Sequence, residues 1–146
     1  MSLATDSIFV DALKSNATLV ESVGDRIYGT AIPLPDEDAD NVPVPYLIVT
    51  FDGLNNDTGT KDDRYESEYD KVNIGIEVVG RTLKDLHDLT QMVRDTILTY
   101  VRAIHTNVED YIFTADAIQY DSLKPCYWQT LRYQCDVYNL EDDEQD

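Results

Sequence analysis

From Tyr69 to Val79 the chain alternates cleanly: Val72, Ile74, Ile76 and Val78 point one way, and Lys71, Asn73 and Glu77 point the other. Apolar residues at a period of two define a strand with one buried and one wet face. The segment that follows supplies a cover for the buried side. Over 83–104, Leu83, Leu86, Leu89, Val93, Ile97, Tyr100, Val101 and Ile104 form one helical stripe, while His87, Asp88, Gln91, Arg94 and Asp95 fall largely off it. Thr82 followed by Asp85 resembles a capping box, and Asp85 also suits the positive end of the helix dipole. A long helix with one face laid on a sheet is the expected centre of the fold.

Shorter elements flank this unit. Thr5, Asp6 and Ser7 are N-cap candidates for a helix over 6–15, with Ile8, Phe9, Ala12 and Leu13 on one stripe. Asn16 can cap a second helix, ATLVESV, which Gly24 terminates. Strands are expected over 26–32 and 46–51, the first at a sheet edge because it is short and lies beside glycine and proline. Residues 52–63, DGLNNDTGTKDD, read as turn chemistry throughout. Two more strands, 111–120 and 127–138, are joined by a turn around Ser122 to Pro125. In the last strand Tyr127, Leu131, Tyr133, Cys135 and Val137 share one face, and Trp128, Thr130, Arg132, Gln134 and Asp136 share the other. The order predicts an α+β fold: a mainly antiparallel four- to five-stranded sheet, with one long helix and short N-terminal helices packed on one face. It forms a single domain over 1–140, followed by a disordered acidic tail over 141–146.

Composition narrows the function. A chain of 146 residues can bury one sizeable core, and 42% hydrophobic residues with ten tyrosines argue for a globular protein. No apolar run approaches the roughly 20 residues of a membrane helix. The N-terminus carries acids where a secretory signal would be basic, so a soluble protein is expected, kept in the cytoplasm or released without the secretory route, with no membrane partner. The net charge is −18, and the acids cluster: four between Asp36 and Asp40, seven between Asp52 and Asp70, and five after Leu140. Such loops repel phosphates, which disfavours a conventional nucleic-acid surface. They suit either plain solubility, as in a salt-adapted organism, or a surface that lies beside DNA without holding it. Cys126 and Cys135, nine residues apart on one strand, would lie roughly 30 Å apart on opposite faces. Two free thiols are expected, with Cys135 buried.

Catalytic signatures are missing. The chain contains no GxGxxG, GxxxxGK[ST], GxSxG or HExxH. His87 and His105 lie 18 residues apart, too far along a helix to share a metal. Asp36, Asp38 and Asp40, or Asp62 with Asp63, are oxygen donors suited to a hard cation, yet neither run fits a calcium-loop spacing. A paired-carboxyl mechanism needs two acids in an apolar cleft. The inward strand faces offer none, and the nearest acids, Glu77, Asp116 and Asp136, are on the wet face. No catalytic residue, metal or cofactor is expected. The wet face instead carries Trp128, Arg132, Gln134 and Tyr138 in one row, a composition that suits a subunit interface as well as ordinary surface.

The stretch Val23-Gly24-Asp25-Arg26-Ile27-Tyr28, followed by Pro33 and Pro35 and then Pro45-Tyr46-Leu47-Ile48-Val49, resembles the phage tail-completion, or tail terminator, family. There a valine-glycine-x-arginine-isoleucine-tyrosine run leads through a proline-containing loop to proline-tyrosine-valine. VNIGIEVVGRTLKDLHDLTQMVRDTIL likewise resembles that family's strand and long helix. The likeness covers most of residues 8–98; the acidic insertion at 36–40, the loop at 52–63 and the acidic tail depart from it. It implies a non-catalytic virion protein, assembled in the host cytoplasm, that forms a ring, typically hexameric. Such a ring ends the tail tube and meets the head-side connector. Its partners would be other copies, the tail tube protein and the connector, with DNA passing through the lumen and no specific nucleic-acid contact. On that reading Asp36, Glu37, Asp38, Asp40, Asp57, Asp62 and Asp63 are candidate lumen or docking residues, since an acidic lumen lets phosphates slide. A head–tail connector or neck protein of the same ring-forming class is the nearest alternative. An acidic DNA-mimic inhibitor is an alternative of another class, although mimics space their acids along regular elements. A small cytosolic enzyme is a third, opposed by the missing nucleophile–base pair.

Overall fold

The computed structural model describes residues 4–29, 43–56, 69–104 and 108–138. The candidate loop residues Asp36, Glu37, Asp38, Asp40, Asp57, Asp62 and Asp63 lie outside these, as do His105 and the tail 141–146. The alternating segment is a strand (Tyr69–Gly80), and the helix after it runs from Leu83 to Ile104. In chain order the elements are α1 (Thr5–Lys14), α2 (Ala17–Val23), β1 (Ile27–Gly29), β2 (Tyr46–Asn55), β3 (Tyr69–Gly80), α3 (Leu83–Ile104), β4 (Val108–Ala115), β5 (Gln119–Asp121) and β6 (Cys126–Tyr138). The strands form one sheet in the order β1-β2-β3-β6-β4, with β5 also paired to β6. Every pair is antiparallel except β1 with β2, and the helices cover one face, as the alternation requires.

The core lies between that face and the helices. Val72, Ile74, Ile76 and Val78 of β3 meet Leu131, Tyr133, Cys135 and Val137 of β6 beneath Phe9, Leu13, Leu86, Val93 and Ile97. Tyr133 stands at the centre, edge-on to Phe9, Tyr111 and Phe113 at centroid distances of 5.4, 5.3 and 5.1 Å. Its hydroxyl is buried without a hydrogen-bond partner among the described residues, and burial pushes its pKa up. Of the predicted helical stripe, Leu86, Leu89, Val93 and Ile97 are buried, whereas Leu83 at the first turn is exposed. Thr82 caps α3: its Oγ1 accepts from the Asp85 N–H at 3.1 Å. Gly80 lets that helix start against the strand it follows, because a Cβ there would lie 2.9 Å from the Leu86 backbone nitrogen.

Several local expectations need correction. Helix α1 begins at Thr5 with Ala4 in the N-cap position and no side-chain cap; Thr5 is buried in the first turn. Asn16 does cap α2, accepting from the Thr18 and Leu19 N–H groups, and Gly24 ends that helix at φ 66°. The turn expected from residue 52 starts later, because β2 continues to Asn55 through a bulge between Phe51 and Gly53, where Gly53 has φ 136°. The single strand expected over 111–120 is two, β4 and β5, interrupted at Asp116–Ile118 yet both lying along β6. One acid does face inward: Asp70 is 8% exposed at the start of β3 and accepts from Asn56 Nδ2 at 2.6 Å. The cysteines are free and both buried; burial pushes the Cys135 thiol up to about 12 and raises the Cys126 thiol too.

Candidate assembly surface

The face of the sheet turned away from the helices is a grid whose rows are set by register. Tyr46, Val79 and Trp128 lie side by side, followed by Ile48, Glu77 and Thr130, then Thr50, Gly75 and Arg132, then Asn73 and Gln134. On β4, Thr114 stands beside Arg132 and Ile112 beside Gln134. Trp128, Arg132 and Gln134, the predicted interface residues, therefore share one surface. Tyr138 closes the same strand, although its side chain lies outside the described residues.

Three environments divide this surface. At one end, Trp128 and Tyr46 pack on Val44, Val79 and Cys126, a small apolar cluster separate from the core. Trp128 is thus half-buried by its own chain rather than standing alone. Arg26 Nε and Arg81 Nη2 hold the adjoining turn by donating to the carbonyls of Pro45 (2.9 Å) and Val44 (2.8 Å), across a cis Val44–Pro45 bond.

In the middle, Arg132 is clasped by carboxylates. Its Nε donates to both oxygens of Asp116, at 3.1 and 2.9 Å, and its Nη2 lies 2.8 Å from Asp116 Oδ2. Its Nη1 lies 3.8 Å from Asp52 Oδ2. Two features bring the acids there. The bulge in β2 turns Asp52 over Gly75, where a Cβ would come within 2.5 Å of its Oδ2, and the break after β4 places Asp116 beside Arg132. At the far end Gln134 donates to Asn73 Oδ1 at 3.4 Å, and Lys71 Nζ pairs with Asp136 at 3.0 Å. These contacts are solvent-exposed, so each orients side chains more than it stabilises the fold.

Glu77 is the exception on the polar grid. It is half-buried between Ile48 and Thr130, makes no hydrogen bond or ion pair with the described residues, and burial raises its pKa above the ordinary carboxylate value. The sequence placed Glu77, Asp116 and Asp136 on this face correctly; it missed that Asp52 joins them and that Val44, Tyr46 and Val79 build an apolar corner. Val79 was the available signal, an apolar residue at the polar parity of β3. Large hydrophobics are also exposed along the adjoining edge: Ile112, Ile118, Tyr120 and, at the hairpin turn, Leu123 at 96%.

The acids described on this face and the two thiols are engaged or at least half-buried. Asp116 is bound to Arg132, Asp136 to Lys71, and both thiols are pushed to high pKa by burial. Among the described residues no three of His, Cys, Asp and Glu converge as a metal site, and no helix is long and apolar enough to cross a membrane.

No protein-family model matches the chain, and no curated protein matches it. Among solved structures, it is similar to a chain in the virion of a native gene transfer agent particle, with a TM-score of 0.61 and 13% identity, covering 90% of this chain and 92% of that one. At that identity the likeness establishes a shared fold along nearly the whole of both chains. A structure from Akkermansia muciniphila aligns over 92% of this chain and 78% of its own with 16% identity and a TM-score of 0.31, too low to carry an argument.

Proposed function

We propose that the chain is a non-catalytic structural subunit of a phage-like particle, a ring-forming protein that ends the tail tube and joins it to the head-side connector. The observation that carries this reading is the fold shared, nearly end to end, with a chain of a gene transfer agent virion. The tail-terminator resemblance of residues 23–28 and 45–49 points the same way: it spans the end of α2, Ile27 and Tyr28 of β1 and the start of β2, the part that forms the parallel edge of the sheet. Trp128, Arg132, Gln134 and Tyr138 lie on the face proposed to meet neighbouring subunits. Asp36, Glu37, Asp38, Asp40, Asp57, Asp62 and Asp63 are proposed to line the lumen or the docking loops. There the chain's net charge of −18 would let DNA pass without adhering.

Negative-stain imaging of the concentrated protein tests the proposal. Closed rings with a central hole are expected, hexameric by the tail-terminator resemblance. Mixed with tail tubes, the rings should sit at tube ends; rings that bind only a head-side connector would assign the chain to the neck instead. Monomers at every concentration, leaving tubes uncapped, would sink both assignments.

A further inference from the structure

We infer that the open edge of β4, with the groove between that edge and α3, receives an acidic, extended segment of a neighbouring copy as an added strand. The inference rests on the ring-subunit reading and names the chemistry of one joint between subunits.

Strand β4 ends the sheet: among the described residues no strand lies beyond it. The Asp116 N–H donates inward to the Thr130 carbonyl at 2.9 Å. In an antiparallel ladder such residues alternate with ones whose backbone groups turn away, so Ile112 and Thr114 bond to β6. Phe113 and Ala115 therefore turn their N–H and C=O groups outward. Native sheets blunt such an edge with lysine, proline or inward-pointing charge, yet Tyr111 to Ala115, YIFTA, has none of these. Among the described residues, the exposed large hydrophobics other than Leu83 are Ile112, Ile118, Tyr120 and Leu123, all on or beside this edge. Ile112 and Thr114 also belong to the outer sheet face, so the edge borders the surface proposed to meet neighbouring subunits.

The groove indicates what the added strand carries. A space of about 230 Å³ lies between α3 and the edge, lined by His87, Gln91 and Arg94 on one side and Phe113, Ala115 and Ile118 on the other. No acid is among the described residues that line it. Arg94 is exposed and lies 4.5 Å over the Phe113 ring, which holds the guanidinium at the groove. A strand laid along β4 points its side chains alternately to the two faces, so every second one enters this groove. There it meets apolar surface from Phe113 and Ile118 and a cation from Arg94, where a carboxylate forms a charge-assisted hydrogen bond. The chain itself has that chemistry: its net charge is −18, and the stretches 36–40, 57–68 and 141–146 are rich in acids. The strip from Tyr111 to Tyr120 has a single acid, Asp116, already bonded to Arg132. An acidic neighbour can therefore approach here against little opposing charge. A segment of one copy on the edge of the next is a head-to-tail contact, the kind that closes into a ring when the rotation permits.

Blocking one outward N–H tests the ladder in the full chain, with sedimentation reporting assembly and the melting temperature reporting the fold. Ala115→Pro removes an N–H that bonds nothing within the sheet, so the fold should survive. Assembly should weaken about tenfold, because the donor is gone and the pyrrolidine ring stands where the incoming strand would bond. Arg94→Glu, on the exposed flank of α3, should weaken assembly about fivefold or more by repelling the acid, and it guards against a folding defect in Ala115→Pro. If either variant folds and assembles as the wild type does, the contact is overturned while the ring reading stands. If such normal rings no longer sit on tail tubes, the edge belongs to another protein of the particle and the neighbouring copy is overturned as occupant. A wild-type chain that never assembles overturns both readings.

Discussion

On one side of β3, Val72, Ile74, Ile76 and Val78 are at most 1% exposed beneath three helices; on the other, Lys71, Asn73 and Glu77 look out on a grid of polar and aromatic side chains. The inner face is held by volume. Its residues are interchangeable in kind, and what counts is that each fills its place at crystal-like density. The outer face is held by pairing. Arg132 is placed by two acids from two different elements, and Gly75 matters because of what lies over it. Stability thus resides on one side of the sheet, and the other is the side proposed to meet a neighbour.

Removing volume from the inner face should have the largest effect. Phe9→Ala, at a fully buried ring packed on Tyr133, is expected to cost about 3–5 kcal/mol in denaturant unfolding. A cost below that of an outer-face truncation would erase the distinction between the faces. Next come the two glycines of β3. Gly80→Ala drives a methyl group into the α3 backbone and should cost about 1–3 kcal/mol, as overpacking does. Gly75→Ala meets only the ends of the Asp52 and Thr50 side chains, which can swing away, so it should cost less while loosening Asp52 from Arg132.

Glu77 sharpens the comparison through pH. Its folded pKa is raised by burial, so its protonated form favours folding below the unfolded pKa, and that contribution is lost as pH rises through the folded value. Glu77→Gln should therefore raise the melting temperature at pH 7, with the gain fading as pH falls below the carboxylate range. An equal gain at pH 3 and pH 7 would show that the carboxylate is not penalised by its site. Arg132→Ala should give the smallest effect on stability, within about 1 kcal/mol, because its partners are solvent-exposed. A larger loss would mean that the polar grid supports the fold.

Sequence patterning revealed the inner face almost residue by residue, since a period of two in β3 and a helical stripe in α3 are local properties. It also placed Trp128, Arg132 and Gln134 on one surface. The arrangement of that surface was hidden because it depends on which residues of β2, β3 and β6 stand opposite one another, and on a bulge in β2 that brings Asp52 over Gly75. The turn-forming composition of residues 52–55 concealed a strand end, and the run from 111 to 120 gave no sign of the break that brings Asp116 to Arg132. Glu77 was legible as a wet-face acid but not as an unpaired one, because pairing is decided by residues distant in the chain.

The central claim, that the outer sheet face joins copies of this chain into a ring, is tested most directly by native mass spectrometry of the full chain and its Trp128→Ala variant. The account predicts a closed ring, hexameric, for the wild type. It predicts that the variant shifts to the 16.6 kDa monomer and still unfolds cooperatively, at a melting temperature lowered by the loss of its packing on Val79 and Cys126. A wild-type chain that remains a monomer at every concentration, or a Trp128→Ala variant that assembles as the wild type does, would contradict it.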